Sequence, residues 1–244
     1  MYLDADLHAA YRFANAPING FPYPHFYIKD VFPNSFYSKI QENLPSFSEM
    51  SPISQKRPVK GYNERFVMCF DDDSLNEMER DKADFWKSYR DVFLNGTFGN
   101  LLLGKFKNLI DQRFNNRKDI SFRDELLLIN DITNYSLGPH TDSPRKVISV
   151  LFYLPSDNSQ KMLGTSIYLP KDTNFLCGGG PHHPHEHFNK IITIPFMPNT
   201  AFCFLKTNNS FHGVEKLTIP NTRRWLLLYD IYVDESVLTA SATS

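Results

Sequence analysis

The spacing of hydrophobic and polar positions changes period once along the chain. In the stretch 75–94, Phe85, Trp86, Tyr89, Val92 and Phe93 recur at three- and four-residue intervals and form one apolar face; a second helical segment, 98–115, follows Asn95-Gly96-Thr97. From Glu125 onward the apolar runs become short, at 126–134, 147–154, 165–169, 191–196, 200–205, 211–214 and 224–233, with Gly, Pro and Asn between them. Such spacing describes an antiparallel sandwich or barrel. The fold expected is mainly β with flanking helices: a double-stranded β-helix, or jelly roll, braced by the N-terminal helices.

Ahead of the helices, prolines at 17, 22, 24 and 33 mark an extended lead-in with a short strand at 25–28. Asn34 or Ser35 is placed to cap a helix that runs to about Leu44 and stops at Pro45. Residues 46–64 read as a loop and 65–70 as a strand. Asp71-Asp72-Asp73-Ser74 reads as a solvated turn whose acids favour the next helix N-terminus, rather than as a metal cluster. The expectation is one domain over 1–244, with 1–122 as helical and extended support, 123–233 as the jelly-roll catalytic core and 234–244 as a tail that frays.

Composition narrows the class. With 244 residues, 41% of them hydrophobic, the chain can bury one substantial core, and most of its 21 Phe and 12 Tyr are expected to fill it. A net charge of −1 gives no global reason to expect nucleic acid or a membrane surface. No run approaches the roughly 18 apolar residues of a membrane span. The opening Met1-Tyr2-Leu3-Asp4-Ala5-Asp6 lacks a basic segment followed by an apolar one, so no secretory leader is expected. Cys69, Cys177 and Cys203 form an odd set without metal-type spacing, which suits a reducing cytoplasm.

The candidate chemistry lies in Pro139-His140-Thr141-Asp142. In an extended strand residues i and i+2 share a face, so His140 and Asp142 can present an imidazole and a carboxylate to one point while Thr141 faces away. A His-x-Asp triplet alone is weak evidence. Here it follows the run 126–132 and the turn Ser136-Leu137-Gly138-Pro139, precedes the run 147–154, and is joined by His212 in Ser210-Phe211-His212-Gly213-Val214, with Arg223-Arg224 beyond. Two neutral imidazoles and a carboxylate suit a borderline divalent metal and leave about three of six octahedral positions open. Structural zinc sites close four positions, commonly with thiolates, and no Cys lies near either His in sequence.

These elements, His140/Asp142, His212-Gly213-Val214 and Arg223/Arg224, resemble those of the iron(II)- and 2-oxoglutarate-dependent oxygenases, especially the prolyl-hydroxylase-like branch, over roughly residues 123 to 233. The resemblance implies that His140, Asp142 and His212 bind Fe(II) and that an arginine pairs with the far carboxylate of 2-oxoglutarate. Arg224-Trp225-Leu226-Leu227-Leu228-Tyr229 fits the family register better than one starting at Arg223, and adjacent strand residues face opposite sides, so one of the two points inward. Tyr153 matches a tyrosine that holds the same carboxylate. Leu226 departs from the pattern, because many relatives carry Ser or Thr there. The implied activity consumes O2 and 2-oxoglutarate, releases succinate and CO2, and hydroxylates a substrate the sequence does not identify. Ferrous iron, Asp142, the diacid and one arginine sum to zero charge, as a buried site requires.

Other readings attach to other residues. Cys177-Gly178-Gly179-Gly180-Pro181-His182-His183-Pro184-His185-Glu186-His187 invites a second metal site, but reads better as an insertion between core strands that closes over the site's mouth. Arg145-Lys146 reads as a solvated pair and Tyr135 as core packing. A cupin-like metalloenzyme without 2-oxoglutarate is an alternative; His183-Pro184-His185 has its triplet, but Phe188 and Asn189 stand where its Glu is needed. A metal-free jelly-roll binding protein is another.

Overall fold

A computed structural model of the chain describes residues 3–57 and 62–234. The tail from 235 and its expected fraying lie outside the described residues. The helices are α1 (Leu3–Asn15), α2 (Asn34–Glu42), α3 (Ile53–Lys56), α4 (Asp72–Asn76), α5 (Arg80–Phe93), α6 (Thr97–Lys105) and α7 (Lys107–Arg113). The strands are β1 (His25–Lys29), β2 (Ser51–Pro52), β3 (Arg65–Cys69), β4 (Phe122–Ile132), β5 (Leu137–His140), β6 (Lys146–Tyr153), β7 (Ser166–Pro170), β8 (Phe188–Thr193), β9 (Thr200–Leu205), β10 (His212–Val214) and β11 (Arg223–Val233).

The strands form two antiparallel sheets, in the orders β1-β9-β6-β11-β4-β3-β2 and β5-β10-β7-β8. This is the expected jelly roll with flanking helices. Period-two alternation assigns each strand residue to a layer. Leu126, Leu128, Leu227, Tyr229 and Ile231 pack under the helices with Phe85, Trp86, Tyr89 and Phe93 of α5. Leu127, Ile129, Phe202, Phe204 and Leu226 face the other way, onto Ile167 and Val214 of the small sheet. The aromatic surplus sits mainly in the helix layer, where Phe152 lies edge-on to Phe93 and stacks on Phe32.

Several local expectations are corrected. The predicted turn at 136–139 is largely strand: β5 lies at the edge of the small sheet, where the missing N–H of Pro139 breaks no ladder. Helix α1 was not expected; its Ala9 and Phe13 are buried against the core. The helix at 34–42 has Pro33 at its N-cap, with no side-chain cap. The stretch 46–64 contains β2 and α3, and each long predicted helix is broken in two. The acidic turn behaves as expected, with the Asp71 carboxylate accepting from the Ser74 N–H at 2.8 Å. Among the described residues no helix is long and apolar enough to cross a membrane.

Candidate metal centre

β5 ends at His140, β10 begins at His212, and the register sets the two residues opposite each other. Both rings are held by the same local device. His140 Nδ1 lies 2.9 Å from the Gly138 carbonyl, and His212 Nδ1 lies 2.9 Å from the Ser210 carbonyl. A carbonyl can only accept, so each Nδ1 carries the proton and each Nε2 keeps its lone pair. Asp142 follows just beyond β5, and the Thr141 hydroxyl between them donates to the Cys177 carbonyl at 2.8 Å. Asp142 Oδ2 stands 3.9 Å from His212 Nε2, and one ligand atom from each of His140, Asp142 and His212 lies within 4.8 Å of the others.

The electrostatics suit a metal. Burial, helped by the neighbouring His212, pushes the His140 imidazole down to about 3. Burial also lowers His212, against the pull of Asp142. Both rings are therefore neutral near pH 7, as metal ligands must be. Burial alone would raise the Asp142 carboxyl, but the Lys146 ammonium and the two imidazoles outweigh it and hold the group well below the usual range.

Lys146 corrects the solvated-pair expectation. Its side chain is only 13% exposed, and its Nζ lies 3.2 Å from Asp142 Oδ1 and 2.9 Å from Asp230 Oδ2. Asp230 also accepts from the hydroxyls of Ser149 at 2.7 Å and Tyr232 at 3.1 Å. The available sequence signal was Asp230 itself, one carboxylate inside the apolar run 224–233.

A cavity of about 360 Å³ opens on the triad and extends between the sheets to Arg224, with Arg65, Thr165 and Leu226 on its walls. Arg224 is fully buried. Its Nε donates to the Leu163 carbonyl at 2.5 Å and its Nη1 to Asp131 at 2.7 Å, while its Nη2 is buried with no hydrogen-bond partner among the described residues. Arg65, Asp131 and Arg224 are cross-strand neighbours on β3, β4 and β11, and Arg65 grips Asp131 through two nitrogens at 2.6 and 3.0 Å. Arg223 is exposed and lies over the Phe47 ring at 4.7 Å. Tyr153 is buried, its hydroxyl donating to Thr165 Oγ1 at 2.8 Å and accepting from the Thr165 N–H at 3.1 Å. Tyr135 is buried, and its hydroxyl has no hydrogen-bond partner among the described residues.

The His-rich segment lies at the mouth. His182 and Gly180 line the cavity; the His182 ring is 5.1 Å from that of His140 and its Nε2 is 2.6 Å from the Tyr62 hydroxyl. His183 packs among Phe175, Phe188 and Phe211, whereas His185 lies beside Tyr168. Among the described residues the segment contributes no metal-ligand cluster.

No family model and no curated protein sequence matches the chain. Solved structures share its fold. A prolyl 4-hydroxylase from Phytophthora capsici aligns with 95% of this chain and 65% of its own, at a TM-score of 0.51 and 14% identity. SnoN, a non-heme alpha-ketoglutarate-dependent epimerase from nogalamycin biosynthesis, aligns with 93% of this chain and 80% of its own, at a TM-score of 0.51 and 11% identity. A Pseudomonas putida prolyl-4-hydroxylase covers 93% of this chain and 98% of its own at 13% identity, with a TM-score of 0.49. At such identities the first two establish a common jelly-roll fold.

Proposed function

We propose that the chain is a non-haem Fe(II)- and 2-oxoglutarate-dependent oxygenase that hydroxylates an organic substrate. The observation that carries this reading is Arg224 Nη2, a buried donor with no hydrogen-bond partner among the described residues, in the same cavity as the His140, Asp142 and His212 ligand set. An unsatisfied buried donor on a charged group is costly, and a carboxylate relieves it well. Charge supports the same conclusion. Arg65 offsets Asp131 and Lys146 offsets Asp230, so ferrous iron, Asp142, the diacid and Arg224 still sum to zero.

In this reading His140, Asp142 and His212 hold the iron, and Arg224 takes the far carboxylate of 2-oxoglutarate through Nη2 rather than through a two-nitrogen fork. Thr165 stands on the cavity wall and supplies the hydroxyl that Leu226 lacks, with Tyr153 fixing its position. When bound, iron with 2-oxoglutarate and O2 supplies the oxidation: the diacid leaves as succinate and CO2, and one oxygen atom enters a substrate C–H bond. The chain contributes orientation and a largely apolar wall that limits stray water. One neighbour on this fold is named a hydroxylase and another an epimerase; hydroxylation is the reading adopted.

The test is anaerobic titration of metal-free protein with Fe(II) and then 2-oxoglutarate. A weak visible metal-to-ligand charge-transfer band is expected for the wild type and for Arg223→Ala, and is lost in Arg224→Ala. Iron binding with no band at any diacid concentration would overturn the reading.

A further inference from the structure

We propose that Lys146, held by Asp230, is a positioning residue that confines Asp142 to metal ligation through one oxygen and so keeps a coordination position open for exchangeable ligands. The inference rests on the metal reading above.

The two oxygens of Asp142 are not equivalent. Oδ1 lies 3.2 Å from the Lys146 ammonium, whereas Oδ2 faces His212 Nε2 at 3.9 Å. Ser149 approaches both Asp142 Oδ2, at 3.3 Å, and Asp230 Oδ1, at 2.7 Å. It has one hydroxyl proton, and the shorter contact takes it. Oδ2 therefore keeps its lone pairs for a metal, while Oδ1 is engaged by a charge-assisted hydrogen bond.

Lys146 is itself held. Asp230 is 1% exposed and binds Nζ at 2.9 Å. The register pairs Asp230 with Ser149 and Tyr232 with Lys146 across β11 and β6, so the network belongs to the large sheet. His140 and His212 belong to the small one. Lys146 thus fixes the third ligand against a frame independent of the other two.

Without the ammonium, Asp142 is free to offer both oxygens. A two-oxygen carboxylate occupies a position that would otherwise hold water, leaving about two open positions of six instead of three. Loss of the cation alone would also favour a dication, and removing Asp230 together with it leaves the local net charge unchanged. Metal affinity and affinity for a chelating ligand then move in opposite directions, whereas a merely structural role would weaken both together.

The experiment uses the full chain with Mn(II). Lys146→Met alone leaves Asp230 buried without its cation and can fail to fold, so Lys146→Met/Asp230→Asn is the principal variant and Lys146→Arg the conservative one. Manganese affinity, the water-proton relaxation of the bound ion and the affinity of the manganese form for 2-oxoglutarate are measured. The double variant is expected to bind Mn(II) at least as tightly as wild type, to lose about a third of the exchangeable-water relaxation and to bind 2-oxoglutarate about tenfold more weakly; Lys146→Arg restores all three. Unchanged relaxation in the double variant would overturn the proposal, as would parallel loss of both affinities. A wild type that binds Mn(II) but not 2-oxoglutarate would remove the cosubstrate reading, yet the relaxation comparison would still decide the role of Lys146. No Mn(II) binding by wild type would overturn both.

Discussion

His140 and His212 face each other across β5 and β10 with ring centroids 4.4 Å apart, and each anchors its Nδ1 on the carbonyl two residues before it. The repeated anchor gives both rings one tautomer and directs two unprotonated nitrogens toward Asp142. The arrangement depends on how closely the two strands approach, and the residue that permits the approach is Gly213.

A Cβ at Gly213 would lie 2.3 Å from the Leu137 carbonyl oxygen and 3.0 Å from that of Gly138. Both obstacles are backbone, so β5 would have to move and carry His140 with it. Gly213→Ala is expected to cost about 1–3 kcal/mol of stability and to weaken Mn(II) binding about tenfold or more. Urea unfolding and metal titration of the same preparation check this; native metal affinity in the variant would refute the link between strand spacing and the site.

The large-sheet strands β4, β6, β9 and β11 were legible because their apolar runs are long and their period-two faces are largely buried, whereas the two-residue β2 carries no such run. β5 was not, since Gly138 and Pro139 are turn residues and only its edge position lets them pair. The triad could be placed from local spacing and order, and the alternation that sets Arg224 with Leu226 in the inner layer also explains why Arg223 points out. Asp230 inside an apolar run signals that some cation is buried with it, and Arg224 was read as inward, but neither Lys146 as that cation nor the pairing of Arg65 and Asp131 with Arg224 could be identified. Their burial is created by cross-strand neighbours far away in sequence, and nothing local distinguishes a lysine that will meet Asp230 from one that will meet water.

The two arginines should separate cleanly in stability as well. Arg223 offers an exposed contact with Phe47, so Arg223→Ala is expected to cost less than about 1 kcal/mol. Arg224→Ala removes a buried partner of Asp131 and the donor to Leu163, for a loss of about 3 kcal/mol, moderated because Arg65 still holds Asp131. Equal unfolding midpoints for the two variants would contradict the assignment of Arg224 to the interior row.

Acid should destabilise the metal-free protein before its carboxylates titrate. The folded state keeps His140 neutral down to about 3, and lowers His212 as well, from an ordinary value of 6.5. Below that value the unfolded chain binds protons that the folded chain does not, so stability falls as pH drops below about 6.5, for His140 down to about 3, by at most about 1.4 kcal/mol per pH unit for each imidazole. Asp142, whose carboxyl is lowered, adds a loss of the same sign below its ordinary 3.8. Urea midpoints at pH 7, 5.5 and 4.5 measure the slope, and His140→Gln should flatten it. A variant as acid-sensitive as wild type would show that the imidazole is not the source.

The Gly- and His-rich segment yields the remaining prediction. It is tied to the site by His183 N–H donating to the Pro139 carbonyl at 2.8 Å and by Lys206 Nζ donating to the Gly178 carbonyl at 2.9 Å, and its His182 meets Tyr62 above the metal face. None of its residues belongs to the ligand set, so its role should concern what enters the mouth. Deleting 178–187 is expected to lower substrate-dependent turnover about tenfold or more while Mn(II) affinity stays within about threefold, because positioning of the reacting group is sensitive to shifts of about an ångström and metal capture by the triad is local. His182→Ala should give a smaller effect in the same direction. If the deletion left turnover intact, the segment would be a passive insertion; if it abolished metal binding, its packing against Pro139 would be holding β5, and with it His140, in place.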